Sequence, residues 1–249
     1  MMKARQDGSQ YSTQNQKNQR QKDFDYYAGL AAYFESGEGG TLDKLRAFPK
    51  FVPLPELGRF LARYEIFKQI LHVQGSIVEC GVHMGGGLMT WAGISALLEP
   101  LNHLRKVVGF DTFEGFPSVH AKDRKASANV NVGKGALKAP FRADIERAAL
   151  LFDGFRPIGH IPKVELVQGD ALSTIPAFLQ EREYFVTALL YLDFDIYEPT
   201  RIALEHFLPR MPKGAVIAFD QLNHPDWPGE SHAVLDVVGL RNLSIRRFP

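Results

Sequence analysis

The chain has 249 residues, 45% hydrophobic and 23% charged, with 29 lysines and arginines against 28 acids. That balance is ordinary for one large globular domain or two small ones, and it gives no reason to expect a nucleic acid or an acidic membrane surface as partner. The single cysteine, Cys80, excludes an internal disulfide. No apolar run approaches the roughly 20 residues of a membrane span or follows a basic leader, so the chain reads as cytoplasmic.

In chain order, residues 1–23 (MMKARQDGSQYSTQNQKNQRQKD) come first and carry almost nothing apolar. Burial cannot offset the entropy of ordering such a segment, and a disordered tail is expected. Residues 24–249 read as one domain in two parts. In the first, 24–74, aromatics mix with the glycine turn of FESGEGGTLDKL. There LPELGRFLARYEIFKQIL places Leu57, Phe60, Leu61, Tyr64, Phe67 and Leu71 at helical spacing, with Pro55 suited to the first turn. This predicts a helical cover.

From residue 75 to 249 the pattern changes. SIVEC, KVVGFD, VELVQGD, ALLYLDFD and AVIAFDQ are short, continuous and rich in Val, Ile, Leu and Phe, as expected of strands buried on both faces of a parallel sheet. They alternate with the helical stretches GGLMTWAGISALLEPL, FRADIERAALLF, TIPAFLQERE and EPTRIALEHFLPRM. The alternation predicts an α/β fold with a doubly wound, mostly parallel, Rossmann-like sheet. HAVLDVVGL then reads as a last helix and NLSIRRFP as a sixth strand. The irregular segment 118–140 holds four lysines and one arginine; it reads as a lid whose charges meet a sugar diphosphate, or equally as a solvated loop.

All five strand runs finish in an acid: Glu79, Asp111, Asp170, Asp193 with Asp195, and Asp220. In an open parallel sheet these ends share one edge, where ligands bind at the switch in strand order. One such acid alone is more often a helix cap or a solvated loop residue; five in register are harder to ascribe to chance. ECGVHMGGG lets backbone pass close to a ligand, yet it is neither a phosphate loop nor the dinucleotide G-x-G-x-x-G pattern. A glycine turn between acids suits a nucleoside bearing hydroxyls and a positive charge, such as S-adenosylmethionine.

IVECGVHMGGG, GFDTFEGFP, VQGDA, LDFDIYEPT and AFDQLNHPDWPGE together resemble the macrocin O-methyltransferase family of class I, metal-dependent sugar methyltransferases, nearest the deoxyhexose 3-O-methyltransferase branch. The resemblance runs from about residue 54 to the end. It implies that Glu79 and Gly81 lie along the methionine part of the donor, Asp111 receives the ribose hydroxyls and Asp170 sits near the adenine. His83, Gly85, Gly86, Thr112 and Asp193 join them as cofactor contacts. It further implies Mg²⁺ held by Asp193, Asp220 and Gln221, the last standing where relatives carry an acid or Asn. Oxygen ligands fit such a hard cation.

On this resemblance the expected reaction is methyl transfer from S-adenosylmethionine to a sugar hydroxyl, with Asp195 as general base. Its competing role is capping the helix that begins near Glu198. Tyr64, His224, Trp227 and Glu230 are the candidate contacts to a sugar or glycoside substrate, although Trp227 and Glu230 would equally order their loop; Tyr197 and Cys80 read as packing residues. The alternatives are a catechol-type methyltransferase, an inactive donor-binding module and, against the missing G-x-G-x-x-G, a dinucleotide oxidoreductase. The fold normally adds a closing antiparallel strand after the sixth. An edge left open by its absence predicts a homo-oligomer or a truncated chain.

Overall fold

The computed structural model describes residues 21–123 and 132–248. Most of the expected disordered tail lies outside the described residues, but its last three residues do not: Gln21–Asp23 open a helix, because the aromatics of DFDYY that follow continue the helical run. The chain divides into two compact units, one ending at Leu61 and the other beginning at Ala62.

The first unit contains α1 (Gln21–Ser36), α2 (Thr41–Arg46), a 3-10 turn at Phe48–Lys50 and the first turns of α3 (Leu54–Ile70). Tyr33 and Phe51 stack with ring centres 5.3 Å apart, and the Gly40 N–H donates to Asp43 at 3.1 Å, closing the entry to α2.

The second unit is built on β1 (Ser76–Cys80), β2 (Val107–Asp111), β3 (Val164–Gln168), β4 (Thr187–Leu192) and β5 (Val216–Phe219). They form one parallel sheet in the order β3-β2-β1-β4-β5. The order reverses between β1 and β4, which fixes the crevice for a ligand at their C-terminal ends.

Alternation along each strand sorts the core onto two faces. Ile77, Val107, Leu189 and Tyr191 meet Ile66, Phe67 and Ile70 of α3, Leu88, Trp91 and Ile94 of α4 (Gly86–Leu98) and Ile145 of α5 (Arg142–Asp153). The buried stripe of α3 thus runs through Ile66 and Ile70, which the expected Tyr64–Leu71 spacing did not include. Val78, Cys80, Val108, Phe110, Leu190 and Leu192 meet α6 (Ala171–Glu181), α7 (Tyr197–Phe207) and α8 (Gly229–Val237). There Phe110 packs edge-on against Phe178 and Phe207 at 5.3 and 5.8 Å; truncating such a ring to Ala costs about 3–5 kcal/mol. Cys80 is a buried core residue as expected.

At the opposite, N-terminal end of the strands lies a group of paired charges. Arg105 is bound by Glu99 at 2.7 Å and donates to the carbonyls of Gly75, Val73 and Ile70 at 2.8, 2.8 and 3.2 Å, closing the end of α3. Arg156 pairs with Asp153 at 2.7 Å, and the Lys163 ammonium donates to the Asn102 carbonyl at 2.9 Å.

The expected sixth strand does not form. Among the described residues the sheet has five strands; α8 gives way at Gly239 (φ 74°) to a 3-10 turn, Leu240–Asn242, and the extended segment beyond it pairs with none of them. Ile245 is 53% exposed, so a strand there would bury no face to repay its ordering. Among the described residues no helix is long and apolar enough to cross a membrane.

Candidate active site

The chain leaves β1 through Gly81 at φ 94°, and a Cβ at this position would stand 2.0 Å from the Asp193 carbonyl oxygen. Only glycine tolerates both. The Asp193 N–H donates to the Cys80 carbonyl at 2.8 Å and the Gly81 N–H to that of Phe110 at 2.9 Å, so the ends of β1, β2 and β4 are held together. A Cβ at Gly85 would meet Ile145 at 2.6 Å, and one at Gly87 would meet Glu79 Oε1 at 2.1 Å and Arg63 Nη2 at 2.8 Å. A Cβ at Gly86, by contrast, would meet nothing within 4 Å outside its own helix backbone and chain neighbours. The expectation that these glycines clear a path for a ligand therefore fits Gly86; at Gly81, Gly85 and Gly87 the protein itself takes the space.

Asp111 accepts three backbone N–H bonds: Val82 and His83 on Oδ2 at 2.7 and 2.8 Å, and Phe113 on Oδ1 at 2.7 Å. It stitches the glycine turn to the end of β2 and keeps one lone-pair direction on Oδ1 for a further donor. Thr112 is engaged in its own turn, its hydroxyl donating to the Gly115 carbonyl at 2.7 Å and accepting from the Glu114 N–H at 3.1 Å. Asp170 caps α6, accepting from the Leu172 N–H at 3.0 Å. Of the five acid-ended strands, this one follows the bland reading.

The remaining acids crowd together. Asp193 is pushed well above the usual carboxylate range by burial and by Asp220, Asp195, Glu230 and Glu79. Burial raises Glu79 to about 8, with Arg63 opposing and Asp111 and Asp220 adding; its Oε2 has no hydrogen-bond partner. Glu230 is fully buried and raised by burial and Asp195; it accepts the backbone N–H groups of Gln221 (3.0 Å) and Asp195, while its Oε1 has no partner. Among the described residues no ion pair reaches Asp193, Asp220 or Glu230.

Asp195 is 5% exposed and stands at φ 63°, a left-handed conformation that costs a non-glycine residue about 1 kcal/mol or more. Burial and Asp220 raise it to about 7, against a hydrogen bond from Gln221. Its competing role as the cap of α7 is taken by another residue. Ile196 occupies the cap position without a side-chain bond, and the Tyr197 N–H is received by Asp123 Oδ1 at 2.9 Å. Asp123, buried in the segment after β2, also accepts the His120 N–H at 3.0 Å; nothing in its sequence surroundings marked it.

Asp193, Asp220 and the Gln221 amide offer hard oxygen donors. Among the described residues there is no group of three His, Cys, Asp or Glu side chains placed to hold a metal. The expected set, two acids and an amide, is not such a group. Gln221 is buried and its Nε2 approaches Asp220 Oδ2 at 3.4 Å. Two residues that sequence reasoning did not single out stand beside these acids: Tyr191 donates to Asp220 Oδ1 at 3.0 Å, and Arg63 reaches Tyr191 Oη at 3.5 Å. Tyr191 lay hidden in the apolar strand pattern, and Arg63 in the polar half of α3.

The candidate substrate residues divide. Trp227 is 2% exposed and packs with Phe116 and Ile196 at a ring distance of 6.1 Å from Phe116, which is the packing its loop-ordering role requires. His224 Nδ1 accepts the Asp226 N–H at 3.2 Å within the same loop. Tyr64 is half-buried at the edge of the core, under the Lys68 ammonium. Tyr197 packs as expected and donates to Asp236 at 2.8 Å. In the basic segment, Lys122 pairs with Asp236 and Lys138 with Glu114; Arg124 and Lys125 lie outside the described residues.

The macrocin-O-methyltransferase (TylF) family model matches residues 64–236. A curated relative from Streptomyces olivaceus, an 8-demethyl-8-(2,3-dimethoxy-alpha-L-rhamnosyl)-tetracenomycin-C 4'-O-methyltransferase, is 32% identical over 155 residues, which are 59% of this chain and 53% of that protein. The chain thus spans about half the length of the curated relative it matches. The crystal structure of CalS11, a calicheamicin methyltransferase, superposes with a TM-score of 0.87 at 31% identity over 100% of this chain and 95% of that one. An apo structure of CalS11, described as a TDP-rhamnose 3'-O-methyltransferase, gives 0.80 at 30% identity over 98% and 95%. The O-methyltransferase NovP, at 23% identity, 0.57, and coverage of 71% of this chain and 69% of its own, shares the fold.

Proposed function

The chain belongs to the macrocin O-methyltransferase family, and from that premise we propose that it transfers the methyl group of S-adenosylmethionine, with Mg²⁺, to a hydroxyl of a deoxyhexose carried on a nucleotide or a natural product. The names of the relatives, which concern rhamnose and rhamnosyl acceptors, support the acceptor class. The observation that carries the reading is the gathering of Asp193, Asp195, Asp220 and Glu230 at the β1/β4 switch, beside the glycine turn.

In the proposed site the donor lies over Gly86, with Glu79 beside the methionine ammonium and Gly81, His83 and Gly85 shaping the turn. Asp111 takes a ribose hydroxyl on its open lone pair, next to Thr112, and Asp170 stands at the adenine side from its place on α6. Asp195 receives the acceptor proton as the sugar oxygen attacks the sulfonium methyl and the sulfur leaves with the bonding pair as a thioether. The left-handed backbone at Asp195 is strain of the kind retained where a side chain must be aimed.

Hard oxygen donors and unrelieved like charge fit a divalent cation, and Asp193, Asp220 and the Gln221 amide oxygen are the residues that would hold it. Bound Mg²⁺ would supply a Lewis acid that lowers the pKa of a neighbouring sugar hydroxyl.

Asp195→Asn tests the reading. It keeps the shape of the side chain and tolerates the left-handed backbone, so calorimetry should show unchanged affinity for S-adenosylhomocysteine while methyl transfer to a TDP-linked deoxyhexose falls about 100-fold or more. Full turnover in the variant would remove Asp195 from the chemistry.

A further inference from the structure

Arg63 projects from α3 toward the rim. Its guanidinium lies over the rings of Tyr191 and Trp91, 5.0 and 5.8 Å from their centres, and Nη2 occupies space that a side chain at position 87 would need. It is the cation that opposes the ionisation cost of Glu79. Nη2 also reaches Tyr191 Oη at 3.5 Å, and Tyr191 Oη reaches Asp220 Oδ1 at 3.0 Å. The direction of this chain is fixed by chemistry. A guanidinium only donates, a carboxylate only accepts, and the phenol between them must accept from the first and give to the second. An ordinary phenol keeps its proton at neutral pH and so remains a donor.

A buried tyrosine needs a partner, and satisfaction of the phenol is the simplest role for this bond. Asp220 does not need the bond, however: it is exposed and has water at hand. What the phenol adds is orientation, since Oδ1 is tied to a side chain anchored in a central strand and backed by a stacked guanidinium.

We propose that Tyr191 and Arg63 are positioning residues that aim Asp220 at the acceptor half of the site, joining it to Glu79 on the donor half. What Asp220 then does, holding a divalent ion, rests on the function proposed above.

The test uses the full chain and Mn²⁺ as a spectroscopic probe for the ion. Tyr191→Phe should bind Mn²⁺ about 10-fold more weakly by electron paramagnetic resonance, raise KM for the acceptor more than it lowers kcat, and leave both S-adenosylhomocysteine affinity and the thermal midpoint near those of the parent. Arg63→Gln, on a half-exposed side chain, should weaken Mn²⁺ binding less, about 3-fold, and serves as the Mn²⁺ test if the phenylalanine variant fails to fold, with donor affinity free to change because Glu79 loses its cation. Parent-like Mn²⁺ affinity in a folded variant overturns the positioning role alone. A parent protein that binds S-adenosylhomocysteine but no Mn²⁺ overturns the metal reading and this inference with it.

Discussion

The two ends of the sheet both gather ionisable side chains, and they treat them in opposite ways. At the N-terminal end Arg105 has Glu99 and three carbonyls, Arg156 has Asp153, and Lys163 has the Asn102 carbonyl. At the C-terminal end Asp193, Asp195, Asp220 and Glu230 face one another, while Arg63 acts on Glu79 and Tyr191. Buried ions stabilise a fold only when partnered, and like charges crowded together cost stability. The contrast separates a closed structural lock from an arrangement that gains its counter-charge from outside.

The largest effect expected from this contrast is at the closed end. Arg105→Met strands Glu99 and leaves the carbonyls of Gly75 and Val73 unmet, and urea unfolding should show a loss of about 3–5 kcal/mol with S-adenosylhomocysteine affinity retained. A loss below about 1 kcal/mol would erase the distinction between the two ends.

Next comes Glu79, which holds its proton in the folded protein up to pH about 8, against an ordinary value of 4.5. The folded state binds more protons across that window, so its stability is full below pH 4.5 and falls as pH rises toward 8, by at most about 1.4 kcal/mol per pH unit. Glu79→Gln should flatten that slope in urea titrations run at several pH values; an unchanged slope would assign it to other groups. The smallest effect has the opposite sign. Burial lowers Lys163 from 10.5 to about 8, so stability should rise with pH across that window and Lys163→Met should abolish the rise.

The sheet was legible because its strands are continuous apolar runs. SIVEC is β1 as it stands; KVVGFD, VELVQGD and AVIAFDQ each contain their strand, while ALLYLDFD misses Thr187 at the start of β4 and runs past its end at Leu192. The sixth strand was misread because a few alternating residues resemble a strand even where no face is offered to bury them. In the site, the acids at strand ends could be read because topology carries them to one rim. Roles that depend on direction could not: Asp170 turns back to cap α6, Asp123 comes from an irregular segment to receive the Tyr197 N–H, and Tyr191 is written in the same apolar alphabet as its neighbours. For Trp227 the sequence leaves both a pocket wall and a loop-ordering role open, because it does not reveal whether an aromatic ring meets solvent or Phe116.

Gly81, whose missing side chain lets the first strand's exit touch the backbone of the fourth, has a consequence for how such a protein diversifies. Two borders of the crevice welded at that point form a rigid keel that mutation cannot widen without prying them apart. Novelty in the molecule accepted would then have to arise around the rim rather than at the keel.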